Sequence, residues 1–484
     1  MEERRQLFIG GEWTAPSGDA RLEVISPHTE KPIAVVAAAG PADVDRAVAA
    51  ARRAQDEGPW PRLDPAERIA AVRRLAGLYR PRTKEIAKLI TAEMGSPISF
   101  SKFSQATLPL MLLDAFAGIA ETFPWEERRP GFFGQDVLVR REPAGVVAAI
   151  VPWNVPLFLV VGKVAPALLA GCSIVVKPAP ETPLDSLLFA ELVEEAGLPP
   201  GLVSFLPGDG ATGEALVNHP GVDRVSFTGS TAVGRKIASA CGASLKKASL
   251  ELGGKSAAVV LDDADPAAVA EGLKLAGLMN NGQACVAQTR ILVPEGRKVE
   301  FTEALASMVE GLAVGDPEDP ATEIGPLVAK RQRERVRGYI EDGRREGARM
   351  VVGGVDAPPG CASGWYVRPT LFADVDNGMK IAREEIFGPV LSVIAYRDDE
   401  DAIRIANDSD YGLSGSVWTA DAARGLDVAR RVRTGSFGVN APYTMDPAAP
   451  FGGIKESGIG RELGREGLEG YVELKAISGA PPAS

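Results

Sequence analysis

Apolar positions change their spacing along this chain. Near the start, the short runs "LFIGGEW", "RLEVISP" and "IAVVAAA" read as strands. Over residues 42–56, 65–79 and 101–121, apolar side chains recur at i, i+3 and i+4, which predicts helices. Between residues 146 and 260, continuous apolar runs alternate with helical patterns: "VVAAIVP", "SIVVKP", "LVSFLPG", "RVSFTGS" and "KASLEL" are separated by helices starting near Pro156, Pro183, Thr212 and Thr231. A strand apolar at every position is buried on both faces, so strand–helix alternation of this kind predicts a parallel sheet covered on both sides. After Asp262 the alternation resumes, with helices over 266–280, 298–312 and 330–346 and strands "RILVP", "VLSVIAY", "GSVWT" and "GSFGVN". The expectation is an α/β protein with a Rossmann-like parallel-sheet unit and a second α/β unit. The polar stretch 123–141 interrupts the first unit and reads as an excursion that pairs with another subunit.

Composition narrows this picture. The chain has 484 residues, 45% hydrophobic and 24% charged, enough for two or three domains with their own cores. A net charge of -11 leaves no electrostatic footprint for nucleic acid. The N-terminal "MEERRQLFIGGEW" has no apolar h-region, and no secretory signal is expected. The most apolar region, 146–176, is broken by Pro152, Trp153, Asn154, Pro156, Lys163 and Pro166. No uninterrupted span of the roughly 18–20 residues that a membrane helix needs is expected. Cys172, Cys241, Cys285 and Cys361 match no zinc spacing, so neither metal nor disulfide is expected. The expected location is cytoplasmic.

"GDGATG" (208–213) fits G-x-G-x-x-G, follows a strand and opens a helix. Its companion acid is missing, because position 228 is Thr and Asp223 precedes the next strand. Read alone, it is a tight strand-to-helix turn. Two more strand ends add chemistry: "FTGSTAVG" (227–234) opens a helix with free N–H groups, and "VVKPAPETP" brings the cation Lys177. Three consecutive strand ends bearing glycine, hydroxyl and ammonium groups point to a nucleotide lying across the sheet's carboxyl edge.

With "VPWN" (151–154), "KPAPETP" (177–183), "LELGGK" (250–255), "GQAC" (282–285), "EEIFGPV" (384–390) and "PFGGIKESGIGRE" (450–462), these segments resemble the aldehyde dehydrogenase superfamily, in order and almost end to end. The resemblance implies a nucleotide-binding domain (1–122 and 142–253), a catalytic domain (254–456) and an oligomerisation element (123–141 and 457–484). It further implies an aldehyde substrate, NAD as cofactor with NADP also accepted, and a homodimer or homotetramer.

Aldehyde oxidation by hydride loss needs a nucleophile, since a thiolate adding to the carbonyl creates a tetrahedral centre that can release hydride. The resemblance puts Cys285 in that role, Asn154 and the Cys285 backbone N–H as oxyanion donors, and Glu251 as the base for thioester hydrolysis. Lys163 matches the family's helix lysine, and Glu473 in "YVELK" is read as a second, proton-relaying carboxylate. Neither His28 nor His219 matches a catalytic motif; both sit in turns. Cofactor contacts implied by the resemblance are Pro152, Trp153, Lys177, Ala179, Gly210, Phe227, Gly229, Ser230, Gly234 and Leu252, with Glu385 on the nicotinamide ribose and Phe387 against its ring. Pro180 occupies the place of the family's ribose-binding glutamate, with Glu181 one position late, which weakens selection against a 2′-phosphate. Val155 and Gly162 stand where much of the family has aromatic rings; together with Leu159 and Phe451 they imply a wide apolar tunnel for a bulky apolar aldehyde. The alternatives are a coenzyme A-acylating semialdehyde dehydrogenase, against which Glu251 argues, and a silent binding protein, against which the Cys285–Glu251–Asn154 set argues.

Overall fold

The computed structural model describes residues 2–442 and 445–479. Its first sheet has five parallel strands in the spatial order Lys247–Glu251, Arg224–Thr228, Val146–Ile150, Ser173–Lys177 and Val203–Phe205. These are the runs that are apolar at every position, and almost all their residues are buried. The hairpin Leu7–Ile9/Glu12–Thr14 closes one edge and the two-residue strand Gly458–Ile459 the other, both antiparallel. Helices Pro65–Tyr79, Leu108–Thr122, Pro156–Ala170 and Leu184–Glu195 cover one face in a single apolar cluster. Helices Pro41–Asp56, Gly210–Asn218 and Thr231–Ala243 cover the other.

The second sheet runs Arg349–Gly354, Arg368–Ala373, Val390–Tyr396, Arg290–Pro294, Ala257–Val260, Gly415–Trp418 and Gly438–Val439, parallel except for its first strand. Ala257–Val260, Arg349–Gly354, Arg368–Ala373 and the helices Thr83–Met94, Asp399–Asn407 and Ala422–Arg431 were not in the expected pattern. The last two are short amphipathic helices started by Asp398 and Asp421, whose carboxylates accept the first free backbone N–H groups.

Two expectations need correction. The C-terminal segment does not go as a block to the small element. Gly458–Ile459 pairs with Leu250 and Glu251 in the first sheet, and helix Gly464–Glu469 packs against Phe116 through Gly467. Only Val472–Ser478 joins Val137–Pro143 and Glu126–Arg129 in a separate three-stranded antiparallel sheet; residues 480–484 lie outside the described residues. Secondly, the helical run Ile98–Thr122 is long and apolar enough, by length and composition, to cross a membrane. It instead lies within the first unit's core cluster through Leu110, Leu112, Leu113, Phe116, Ala117 and Ala120.

Arg290 anchors the second unit. Its side chain is fully buried and donates to the carbonyl oxygens of Lys255 (3.0 Å), Ile405 (2.9 Å) and Ala406 (3.0 Å) and to Asn377 Oδ1 (3.0 Å). Burial lowers the guanidinium pKa to about 10, which still leaves the group charged. Arg290→Met strands three backbone carbonyls without donors and should destabilise the protein by about 3 kcal/mol or more. Denaturant unfolding checks this; a variant as stable as the parent would show that the carbonyls find other partners.

Candidate active site

The order of the five parallel strands reverses at Val146–Ile150. The next strand, Ser173–Lys177, lies on one side of it and Arg224–Thr228 on the other. Helix Pro156–Ala170 covers one face and helix Thr231–Ala243 the other, so a crevice opens beyond Ile150 and Thr228. "VPWN" and "TGST" begin at that crevice.

One side suits a dinucleotide. Ser230 caps helix Thr231–Ala243, its hydroxyl accepting from Val233 N (3.4 Å), and the helix N-terminus at the end of strand Arg224–Thr228 suits an anion. Gly234 sits on Leu252, where a Cβ would lie 2.5 Å from the leucine, and Gly229 is equally close-packed on Phe227. Gly210 opens its own helix behind the cap Asp209. Ala179 is buried beyond the end of Lys177's strand. Lys177 is buried; desolvation lowers its pKa, opposed by the charges of Glu181 and Asp209. Glu181 is itself ion-paired with Arg331. Farther along, Glu385 accepts from Gly254 N (3.0 Å), and burial pushes its acid up to about 7. Phe387 holds a left-handed backbone (φ 64°) and meets Trp153 edge-to-face at 5.3 Å, beside Pro152 at the mouth of the crevice. Glycines, a cation, a ribose-sized carboxylate and an aromatic pair fit a nicotinamide dinucleotide.

The other side carries the reactive groups. Gly253 lies against the Glu385 carboxylate, where a Cβ would come within 2.6 Å, and a Cβ at Gly254 would collide with the Cys285 carbonyl oxygen. The two glycines of "LELGGK" thus let the strand ending in Glu251, the Glu385 carboxylate and the Cys285 loop converge. Cys285 is half-buried, while Cys172, Cys241 and Cys361 are buried; all four are free thiols. Desolvation, then the charges of Glu385 and Glu251, push the Cys285 thiol up to about 12, partly offset by the N–H groups of Cys285 and Val286. Asn154 is buried and its Nδ2 donates to Gln283 O (3.2 Å). Glu251 ends its strand, buried, with Oε1 against the Cα of Gly452. Burial, then Glu462, hold its acid well above the usual carboxylate range, while Lys163 and Arg461 pull it down. Lys163, fully buried, donates to Thr228 Oγ1 (2.9 Å) and is ion-paired with Glu462.

Glu473 is corrected here. It lies on strand Val472–Ser478 and pairs with Lys247, at the opposite end of the strand that ends in Glu251. The carboxylate beside Glu251 and Lys163 is Glu462, at the end of the quoted "PFGGIKESGIGRE" but not singled out from it. Reciprocal backbone bonds between Phe451 and Glu462 (2.6 and 2.7 Å) bring it there. Val155, Leu159 and Phe451 join the apolar cluster that Cys285, Met279 and Met445 edge. Gly162 faces Leu112, whose Cδ1 would be 3.9 Å from a Cβ there. Among the described residues, no cluster of three or more metal-ligating side chains occurs.

The family model described as "Aldehyde dehydrogenase family" matches residues 13–477. The chain belongs to that family. Geranial dehydrogenase of Castellaniella defragrans is 47% identical over 98% of both chains. Among solved structures, a Mycobacterium tuberculosis aldehyde dehydrogenase complexed with NAD+ superposes with TM-score 0.96 at 50% identity, over 98% of each chain. Aldehyde dehydrogenase C of Pseudomonas syringae, complexed with NAD+ and octanal, gives 0.95 at 41% identity, over 99% of this chain and 98% of that one.

The aldehyde dehydrogenase site makes a pH prediction. Glu251 accepts a proton only when ionised, and its raised pKa moves ionisation to higher pH than for an ordinary carboxylate. The Lys163 ammonium opposes that rise. In a Glu462→Gln background, which leaves no unpaired buried carboxylate, Lys163→Met should therefore move the acidic limb of the turnover–pH profile further up. An unmoved or lowered limb would show that Glu251 does not feel this charge.

Proposed function

We propose that the protein oxidises a bulky apolar aldehyde to its carboxylic acid, with NAD as acceptor and Cys285 as nucleophile. The carrying observation is the convergence of Cys285, Asn154, Glu251 and Glu385 on one crevice through Gly253 and Gly254. Pro152, Trp153, Lys177, Ala179, Gly210, Phe227, Gly229, Ser230, Gly234, Leu252, Glu385 and Phe387 would hold the dinucleotide. When bound, oxidised nicotinamide supplies a positive charge near the thiol and an acceptor for the hydride.

The chain's own residues do the rest. Glu251 takes the thiol proton, and the thiolate adds to the aldehyde carbon. The carbonyl π pair moves to oxygen, where Asn154 Nδ2–H and the Cys285 N–H receive it. Such a donor is worth roughly 3–4 kcal/mol in the transition state. Loss of hydride leaves a thioester on Cys285. Glu251 gives up the first proton toward Glu462 and, ionised again, takes one from water; the hydroxide adds to the thioester carbon, the thiolate leaves and the acid is released. Lys163 and Glu462, buried behind Glu251, offer its proton a way out of the crevice.

Three observations support the apolar substrate. A Cβ at Gly162 has only Leu112 within reach, so the wall is open where a ring would narrow it. Phe103 and Met111 expose apolar surface on the neighbouring helical run. Lys163 is already paired and offers nothing to a substrate carboxylate. Carboxylate charge persists near Lys177 through Glu181 and Asp209, which favours NAD over NADP. Four free cysteines suit a reducing cytoplasm. A homo-oligomer is supported by Phe132 and Phe133, 98% and 97% exposed between the hairpin strands Glu126–Arg129 and Val137–Pro143, an apolar pair that water disfavours.

Cys285→Ala should abolish aldehyde-dependent NADH formation, while Cys172→Ala, Cys241→Ala and Cys361→Ala stay near normal. Glu251→Gln should retain some first-turnover NADH and lose steady-state turnover by on the order of 10²- to 10⁴-fold. Substantial turnover by Cys285→Ala would end the covalent reading.

For the substrate, kcat/KM should rise along a series of increasingly large apolar aldehydes, by up to roughly 0.8 kcal/mol per buried methylene. Gly162→Trp should reverse that order by filling the wall. Acetaldehyde or a charged semialdehyde as best substrate would rule out the open tunnel.

A further inference from the structure

The helical run beside the aldehyde wall is not α-helical throughout. Between Ile98–Phe100 and Leu108–Thr122, the seven residues Ser101–Thr107 form a π-helix, with Leu108 N bonded back to Phe103 O. A π turn is less favourable than the α turn it replaces, and such turns recur where a side chain is re-aimed at a functional site.

Here the re-aimed side chain is Gln105. It is fully buried, and its Nε2 donates to the backbone carbonyl of Asn154 at 2.9 Å. The same oxygen accepts from Asn280 Nδ2 at 2.8 Å. Asn280, Asn281 and Gly282 all hold left-handed backbone (φ 55°, 63° and 72°) just before Cys285. The nucleophile loop also supplies Gln283 O, which accepts from the Asn154 amide. Asn154 is therefore gripped at three points. Two belong to the loop that carries the thiol, and the third comes from the π-helix. With one amide hydrogen held by Gln283 O, the other is left for the aldehyde oxygen.

We propose that Gln105 is a positioning residue for Asn154. The π turn holds its amide against the Asn154 carbonyl, and so fixes the direction of the N–H that meets the developing oxyanion. The proposal rests on the reading of Asn154 as oxyanion donor.

A double-mutant cycle separates the two ideas. Gln105→Met keeps the length and removes the donor. It should slow the NADH burst and steady-state turnover alike by about 10-fold, leaving the KM for NAD unchanged. Asn154→Ala should cost on the order of 10²- to 10³-fold. Adding Gln105→Met to Asn154→Ala should then cost nothing more. Losses that multiply would show that Gln105 acts by general packing, and would overturn the proposal. An unaffected burst in Asn154→Ala alone would remove the oxyanion reading, and the proposal with it.

If the methionine variant fails to fold, Gln105→Glu decides. A buried carboxyl in that place donates to the carbonyl only when protonated. Activity should approach the parent's at low pH and fall as the carboxyl ionises. A profile parallel to the parent's would overturn the proposal.

Discussion

An ammonium and a carboxylate meet where water does not reach: Lys163 with Glu462. Burying either alone would cost several kcal/mol, so each is tolerable only because of the other. The pair ties together three segments far apart in sequence. Lys163 belongs to helix Pro156–Ala170, which carries Leu159 and Gly162, and also holds Thr228, the strand end next to Gly229. Glu462 belongs to the late segment that bonds back to Phe451 and lays Gly452 on Glu251. One buried contact thus links helix Pro156–Ala170, the strand end at Thr228 and the segment that lies against Glu251.

The same dryness sets the protonation of the site. Cys285, Glu251 and Glu385 all have acids raised chiefly by burial, which favours the neutral form of each more than water would. The reactive thiolate is thus not a standing property of the loop. On the proposed reaction it forms only when an ionised Glu251 takes the proton, so the half-buried thiol stays neutral and unreactive between turnovers.

Much of this was legible in the residues. The five buried parallel strands announce themselves because both faces need apolar side chains, so nothing alternates. The site motifs were readable through their resemblance to a family in order along the chain, and the structure adds why Gly253 and Gly254 belong in them: a Cβ there would strike Glu385 or the Cys285 carbonyl. What was not legible depends on distant pairing. Gly458–Ile459 is too short to show a period, and only its bonds to Leu250 and Glu251 make it a strand. Glu462 and Glu473 are both late glutamates; one is buried by the Phe451 bridge and the other lies exposed beside Lys247, which local sequence does not distinguish. The π turn at Ser101–Thr107 fits the same apolar spacing as an α-helix, so the pattern at 101–121 hid it.

The return of the chain to Gly458–Ile459 has a consequence for biosynthesis. The strand that bears Glu251 is made halfway through translation, and so is Cys285, but the edge that covers Glu251 and the carboxylate that neutralises Lys163 come at the end. A nascent or prematurely terminated chain holds the thiol and the base without the segment that arranges them. The arrangement of Glu251 and the neutralisation of Lys163 therefore wait on a segment made after nearly all of the chain.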